Sequence, residues 1–292
     1  MDWPITFRCN NNCLTCINDM VYHPEKKVLG KKDCVYISTD QIKNKIDSLR
    51  EKNDETMSFT GGEPTISEDF FELIEYTREK YEDDILLFIV TNGRMFSSKS
   101  FMDKMVDTLP PKSNSKFGIA IFGHLPSLHD SITRAEGSFE QTVKGIKNLL
   151  DRGYQVELRI IINKMNYEKL PEIAEWISSN LRDVFRVVMI HMKYTGNAIK
   201  NFEKIKVKLS ESNSYAVDAA ETLEKNGINV RMFHFPLCTI PEKHWDKAKG
   251  VTKQKEELKF SDKCQKCDVR EECPMIWSTY YKIFGDEEIN PV

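Results

Sequence analysis

The sequence predicts an α/β protein built on a parallel β-sheet, and three observations carry that expectation. Short apolar stretches alternate with segments of helical periodicity along most of the chain. Residues 85–90 and 184–190 are close to continuously apolar, as in strands covered on both faces. Cys9, Gly61, Asn92 and His191 each fall at the end of such a stretch, and parallel sheets gather their functional groups at the carboxyl ends of the strands.

In chain order, residues 5–7 form a short apolar segment that leads into a polar loop. Residues 17–37 read as irregular, with His23-Pro24, Gly30 and several lysines. A helix is expected from Thr39, with Ile42, Ile46 and Leu49 on one face. Residues 56–60 read as a strand that runs into Gly61-Gly62-Glu63-Pro64. Ser67 is expected to cap the next helix, whose first turn carries Glu68 and Asp69 and whose apolar face is Phe70, Phe71, Ile74 and Tyr81. Residues 85–91 are the clearest strand, ended by Asn92-Gly93. A helix over 98–109 presents Phe101, Met102, Met105, Val106 and Leu109 and stops at Pro110-Pro111.

A strand over 117–122 leads to a helix over 138–152, with Phe139, Val143, Ile146 and Leu150 inward and Gly153 at its left-handed cap. A strand over 156–162 carries Arg159 and precedes a helix over 168–181 built on Leu170, Ile173, Ile177 and Leu181. A strand at 184–190, a helix near 213–226 and a strand near 228–235 continue the rhythm. Such alternation implies right-handed βαβ units. From about residue 236 it gives way to a lysine-rich stretch and an aromatic tail, so the chain is expected to divide into 1–235 and 236–292. There is no internal repeat and no low-complexity tract.

Composition narrows the function classes. The 292 residues are 40% hydrophobic and 30% charged, ordinary for a globular protein, with room for one large domain and an appendage. A net charge of −3 gives no basic field to attract nucleic acid or an anionic membrane. The lysines at 26, 27, 31 and 32, and those between 243 and 263, read as solvated surface. The start of the chain has neither a basic region nor an apolar core of the signal-peptide kind. The longest apolar run, 85–90, is too short to span a bilayer. A cytoplasmic protein is expected.

The eight cysteines sharpen the picture. Seven fall in two groups, Cys9, Cys13 and Cys16 near the start and Cys238, Cys264, Cys267 and Cys273 near the end. In a reducing compartment such grouping points to metal rather than disulfides. The first group, spaced C-x3-C-x2-C in one loop, brings three soft thiolates around one face of a small cluster, one ligand short of a closed site. The fourth ligand is either an exogenous molecule or a distant side chain such as His23 or Cys34, the latter completing a zinc site. Gly61-Gly62-Glu63-Pro64 favours the first option. Two glycines at a strand end let backbone approach a ligand closely, and a carboxylate beside them suits an ammonium group; an ordinary strand-to-helix turn is the plain alternative.

With the two motifs together, the chain resembles the radical SAM superfamily, whose signature is C-x3-C-x2-C after the first strand and a GGEP-like turn after the second. The resemblance implies a partial (β/α)6, TIM-like barrel. It implies a [4Fe–4S] cluster on Cys9, Cys13 and Cys16, with S-adenosylmethionine (SAM) on the open iron and its amino group held at Gly61, Gly62 and Glu63. It also implies reductive cleavage of SAM to a 5′-deoxyadenosyl radical that abstracts hydrogen from a substrate, with an electron from a ferredoxin- or flavodoxin-type donor. Thr15 departs from the aromatic residue many members carry before the last cysteine. Asn92 of Thr91-Asn92-Gly93 matches a TNG found near the cofactor in related members. Arg159 either pairs with the SAM carboxylate or forms a salt bridge outside the barrel. His191 faces SAM or substrate, or is a satisfied structural histidine. Cys34 is a buried inert thiol by default and a hydrogen-atom donor as the alternative.

The C-terminal group, Cys238 with Cys264-x2-Cys267-x5-Cys273, suffices for one closed site, [4Fe–4S] or zinc. It resembles the SPASM/twitch extension, which implies one auxiliary [4Fe–4S] cluster. The closest likeness is to the maturases of the histidine-x-serine peptide system. They share CNN-x-CLxC, GGEPT, TNG, His129-Asp130, Glu157 to Arg159, Pro236-Leu237-Cys238 and a closing pair here read as Pro291-Val292. That likeness implies a ribosomally made peptide or a protein as substrate. Two features depart from it: the longer N-terminal region and leader-binding domain are not evident, and Pro274-Met275 rather than glycine follows Cys273. The rival expectations are a radical SAM enzyme acting on a small molecule or a tRNA nucleotide, a non-catalytic electron-transfer or metal-binding protein, and a zinc-based nucleic-acid binder.

Overall fold

The computed structural model describes residues 2–33, 36–49, 56–110, 113–249 and 255–292; Cys34 lies outside them. The main sheet has seven strands: β1 (Asp2–Thr6), β4 (Thr56–Gly61), β5 (Leu86–Thr91), β6 (Ser115–Ala120), β7 (Gln155–Ile162), β8 (Arg186–His191) and β9 (Val230–Phe233). They lie side by side in that sequence, and the registered pairs β1–β4, β4–β5, β5–β6 and β8–β9 are parallel. Strand order that follows chain order without reversing is barrel-type winding rather than the doubly wound kind. The α/β, parallel-sheet expectation therefore holds. The intervening numbers belong to a small antiparallel hairpin, β2 (Met20–His23) and β3 (Val28–Lys31). Its turn holds Lys27 at φ +50°. It occupies part of the stretch that reads as irregular, because its turn carries no glycine and its strands leave Tyr22 exposed rather than patterned against a core.

The chain forms two compact units, one of Met1–Cys13, Asn18–Ile121 and Thr133–Glu157, the other of Leu14–Ile17, Phe122–Ile132 and Leu158–Val292. The first unit carries β1, β4, β5 and β6 with helices α1 (Thr39–Asp47), α2 (Phe70–Tyr81), α3 (Lys99–Thr108) and, after α4 (Pro126–Thr133), α5 (Ser138–Leu150). Its core holds Ile5, Phe59, Phe70, Ile89, Phe96 and Phe117, all essentially without solvent contact. Phe96 and Phe117 meet edge-to-face at 5.2 Å, and Phe117 meets Tyr154 at 5.3 Å. Helix α1 starts at Thr39 as expected, capped by Ser38 in a capping box with Gln41. Ser67 does not cap α2; the cap position is Asp69, whose carboxylate instead accepts from Thr39 at 2.7 Å and ties the two helices together.

In α5 the buried line runs through Phe139, Thr142, Gly145, Ile146 and Leu149, with Val143 and Leu150 half-buried. The stripe turns toward Gly145 because a Cβ there would stand 2.1 Å from the Gly93 carbonyl oxygen. Gly153 takes the expected left-handed conformation, φ +81°. Helix α4 escapes the sequence because Pro126 reads as a breaker when it is the first helical residue.

The second unit packs α6 (Leu170–Asn180) and α9 (Leu209–Lys225) with β8 and β9 around Ile173, Ile177, Val188, Ala220 and Met232. A second apolar cluster includes Leu14, Met192, Tyr194, Leu258, Trp277 and Tyr280. Leu258–Lys259 (β10) pairs antiparallel with Ile276–Trp277 (β11), and helix α11 (Ser278–Phe284) follows. Among the described residues no helix is long and apolar enough to cross a membrane.

Candidate metal and cofactor site

In the first unit the end of β4 comes against the chain leaving β1. Gly62 N–H donates to the Thr6 carbonyl at 2.8 Å, and Glu63 N–H to the Arg8 carbonyl at 2.7 Å. A Cβ on Gly61 would lie 1.9 Å from Thr6 O and one on Gly62 2.1 Å from Arg8 O, and Gly61 also holds φ +134°. No other residue fits this turn. The carboxylate of Glu63 is 1% exposed and points inward. Its Oε1 accepts from Thr65 N at 3.1 Å, Thr65 Oγ1 at 2.6 Å and Thr91 Oγ1 at 2.6 Å, and its Oε2 from Asn92 N at 2.6 Å. Burial pushes this carboxyl above its usual range, while the four donors favour its charged form. The carboxylate thus braces the end of β4 to the end of β5 and is fully engaged within the protein.

Asn92, at the end of β5, links this brace to the cysteine loop. Its Nδ2 donates to Asn10 Oδ1 at 2.6 Å, its Oδ1 accepts from Arg94 N at 3.0 Å, and its carbonyl accepts from Thr142 at 2.9 Å. Cys9, Cys13 and Cys16 are half-buried. Cys9 N–H donates to Leu29 O of the hairpin at 3.0 Å, and Asn11 N–H reaches Cys9 Sγ at 3.4 Å. Cys16 belongs to the second unit, where its carbonyl accepts from Ala198 N at 3.0 Å. His23 is occupied within the hairpin, bonded to Lys31 O at 3.1 Å with Glu25 3.5 Å from its other nitrogen. Sequence reasoning missed Arg94 and Arg134, which bond to the cysteine loop. Arg94 had a signal in its place just after Thr91-Asn92-Gly93. Arg134 had none, since nothing in sequence connects it to a residue 122 positions earlier.

In the second unit His191 is 3% exposed, bonded to Asn213 Oδ1 at 2.7 Å and packed against Phe235, and its carbonyl accepts from Trp277 Nε1 at 2.7 Å. Burial pushes its pKa down to about 4, so the ring is neutral. These are the contacts of a structural histidine. Arg159 is half-buried in β7. Cys238, distant in sequence from the other three, lines one pocket with Cys264, Cys267 and Cys273, together with Leu237 and Met275. Backbone amides already reach three of the sulfurs: Asn290 at Cys238, Ser261 at Cys264, and Leu237 and Met275 at Cys273. Burial pushes all three thiols up, which a bound metal would reverse. Among the described residues no three His, Cys, Asp or Glu groups converge on the point a single metal ion would occupy.

A cysteine-bearing loop tied through Asn10 to a glycine-only turn at the carboxyl ends of parallel strands places the chain among α/β enzymes that work with a bound cofactor. The chain belongs to the Radical SAM superfamily, whose profile matches residues 3–177. That family uses a [4Fe–4S] cluster and SAM, and the donor set fits them: soft thiols for iron, and a turn where no Cβ stands in the way. The chain is 29% identical to Fe-coproporphyrin III synthase of Methanosarcina barkeri over 198 residues, 68% of this chain and 45% of that one. It is 26% identical to the mycofactocin maturase MftC of Mycolicibacterium smegmatis over 175 residues, 60% of this chain and 40% of that one. Its fold resembles that of Streptococcus suis SuiB bound to precursor peptide SuiA, with TM-score 0.61 at 15% identity, covering 79% of this chain and 48% of that one. The chain thus spans less than half the length of these relatives.

Proposed function

We propose that this chain is a radical SAM enzyme that modifies a ribosomally made peptide or a protein. The observation that carries the chemistry is the bonded path from Glu63 through Asn92 to Asn10, which ties the glycine turn to the cysteine loop. Cys9, Cys13 and Cys16 would hold the [4Fe–4S] cluster. The backbone of Gly61, Gly62 and Glu63 would meet the SAM amino group, Asn92 would fix the edge of the site, and Arg159 would meet the SAM carboxylate. When bound, the pair supplies one-electron cleavage of a SAM carbon–sulfur bond and a radical able to take hydrogen from substrate. The protein's own part is to position and to exclude water: Glu63 keeps the turn in place, and the glycines admit the ligand to the backbone.

Residues 236–292 would form an auxiliary-cluster region. Four thiols lining one cavity would suffice for a [4Fe–4S] cluster or a tetrahedral zinc, and the family's iron–sulfur chemistry favours the cluster. The peptide reading is supported by the maturase among the relatives and by the histidine-x-serine pattern. A small-molecule substrate is the second reading, favoured by the synthase among the relatives. A one-electron donor of the ferredoxin or flavodoxin type would supply the electron for cleavage, and a reducing cytoplasm would suit the grouped thiols.

The test is anaerobic reconstitution of the full chain, assay of iron, sulfide and zinc, and addition of dithionite and SAM. About eight irons with 5′-deoxyadenosine formation supports two clusters and cleavage. About four irons and one zinc makes the C-terminal site structural, and zinc without cleavage overturns the reading. Candidate peptides against candidate small molecules then separate the two substrate classes.

A further inference from the structure

Asn10, Asn11 and Asn12 fill the interval between Cys9 and Cys13, and each is held by a group from elsewhere in the same unit. Arg94 Nη1 donates to the Asn10 carbonyl and, at 2.7 Å, to Asn11 Oδ1. Its Nε donates to Gln141 Oε1 at 2.7 Å, which fixes the guanidinium from behind. On the other side, Arg134 donates through Nε to Asn12 O at 2.5 Å and through Nη2 to Asn12 Oδ1 at 2.6 Å. Asn12 N–H in turn donates to Thr133 O at 3.0 Å. Arg134 is exposed yet holds φ +52°, a left-handed conformation that a residue with a side chain adopts only when its surroundings impose it. An exposed arginine in that conformation, with both ends of its fork committed to one loop residue, has a positioning task.

We propose that Arg94 and Arg134 are positioning residues for the three-cysteine loop, clamping the turn between Cys9 and Cys13 and offsetting the negative charge its thiolates gather. The inference rests on the reading of that loop as the cluster site. The Arg134 fork fixes a carbonyl and an amide oxygen through two nitrogens of one plane, while Arg94 holds the loop through Nη1 and is itself held by Gln141 through Nε, a split that the single nitrogen of a lysine reproduces less rigidly. Net charge and hydrogen bonding around the sulfurs also set how firmly, and at what potential, a cluster is held.

The experiment uses the reconstituted full chain as wild type, Arg94→Ala, Arg94→Lys and Arg134→Gly. It measures the rate of iron loss to a chelator, the change SAM causes in the reduced-cluster electron paramagnetic resonance (EPR) spectrum, and the melting temperature. The SAM-induced change reports the N-terminal cluster alone. We expect Arg94→Ala and Arg134→Gly to lose the SAM-responsive cluster at least about tenfold faster. Arg94→Lys should fall between, keeping the charge and losing the fork. Arg134→Gly should melt close to the wild-type temperature, because relief of the left-handed backbone offsets the two lost hydrogen bonds of an exposed side chain, so faster loss at an unchanged melting temperature does not come from general destabilisation. Should Arg94→Ala fail to fold, Arg134→Gly still decides, since its side chain is exposed. Loss within about twofold of wild type in Arg134→Gly overturns the clamp while leaving the cluster site standing. A wild-type chain with no SAM-responsive signal overturns both.

Discussion

Replacing Gly62 with alanine tests the close approach on which the site depends. The added Cβ would lie 2.1 Å from Arg8 O, 2.7 Å from Arg8 C and 2.8 Å from Phe7 C, all backbone atoms that no rotamer change can move away. Ordinary contact starts at 3.4 Å, so clearance requires a backbone shift of about 1.3 Å (3.4 − 2.1). That shift breaks the Gly62–Thr6 and Glu63–Arg8 hydrogen bonds, each contributing about 1 kcal/mol net. Overpacking adds about 1–3 kcal/mol, for a total of about 3–5 kcal/mol.

Gly62 is not in the left-handed region, so alanine meets no dihedral penalty there and would even stabilise slightly through the unfolded state. Gly153→Ala is the opposite case, with φ +81° and nothing within 4 Å, and should cost only about 1–2 kcal/mol. Anaerobic urea unfolding followed by circular dichroism measures both. A Gly62→Ala loss below about 1 kcal/mol at unchanged m would refute the steric argument. So would a Gly153→Ala loss that exceeds it.

Glu63→Gln should destabilise by about 1–3 kcal/mol, since its amide leaves the Asn92 N–H without an acceptor, and SAM affinity should fall with it; calorimetry of both reads the pair. His191 is neutral when folded, with pKa about 4, and protonates near 6.5 when unfolded. The unfolded state therefore binds more protons between those values, and stability rises with pH across the window and is lost on acidification. The swing is about 3 kcal/mol from a difference near 2.5 units, and His191→Gln should flatten the slope of unfolding free energy between pH 4 and 6.5. An unchanged slope would assign the acid sensitivity elsewhere. Cys264→Ala with Cys267→Ala should remove about half the iron and leave substrate-free SAM cleavage, as an elemental assay and nucleoside chromatography would record.

The sequence by itself determined the class of fold and the candidate chemistry-bearing groups, because both are written in local signals. The apolar run 85–90, closed by Asn92-Gly93, is short enough to signal a strand, although β5 alternates buried and half-buried positions rather than being buried throughout, and three thiols in eight residues cannot avoid sharing a loop. Tertiary structure decided what those groups touch. That Glu63 faces inward, held by Thr65, Thr91 and Asn92, depends on β5 lying beside β4. That His191 is a packed, neutral ring depends on Asn213 and Phe235. Cys238 joins Cys264, Cys267 and Cys273 at one cavity although 25 residues separate it from the next of them in sequence, and Arg134 reaches Asn12 across a still longer interval. Spacing along the chain fixes which residues are near neighbours, while hydrogen-bond partners and burial are set by packing between segments distant in sequence.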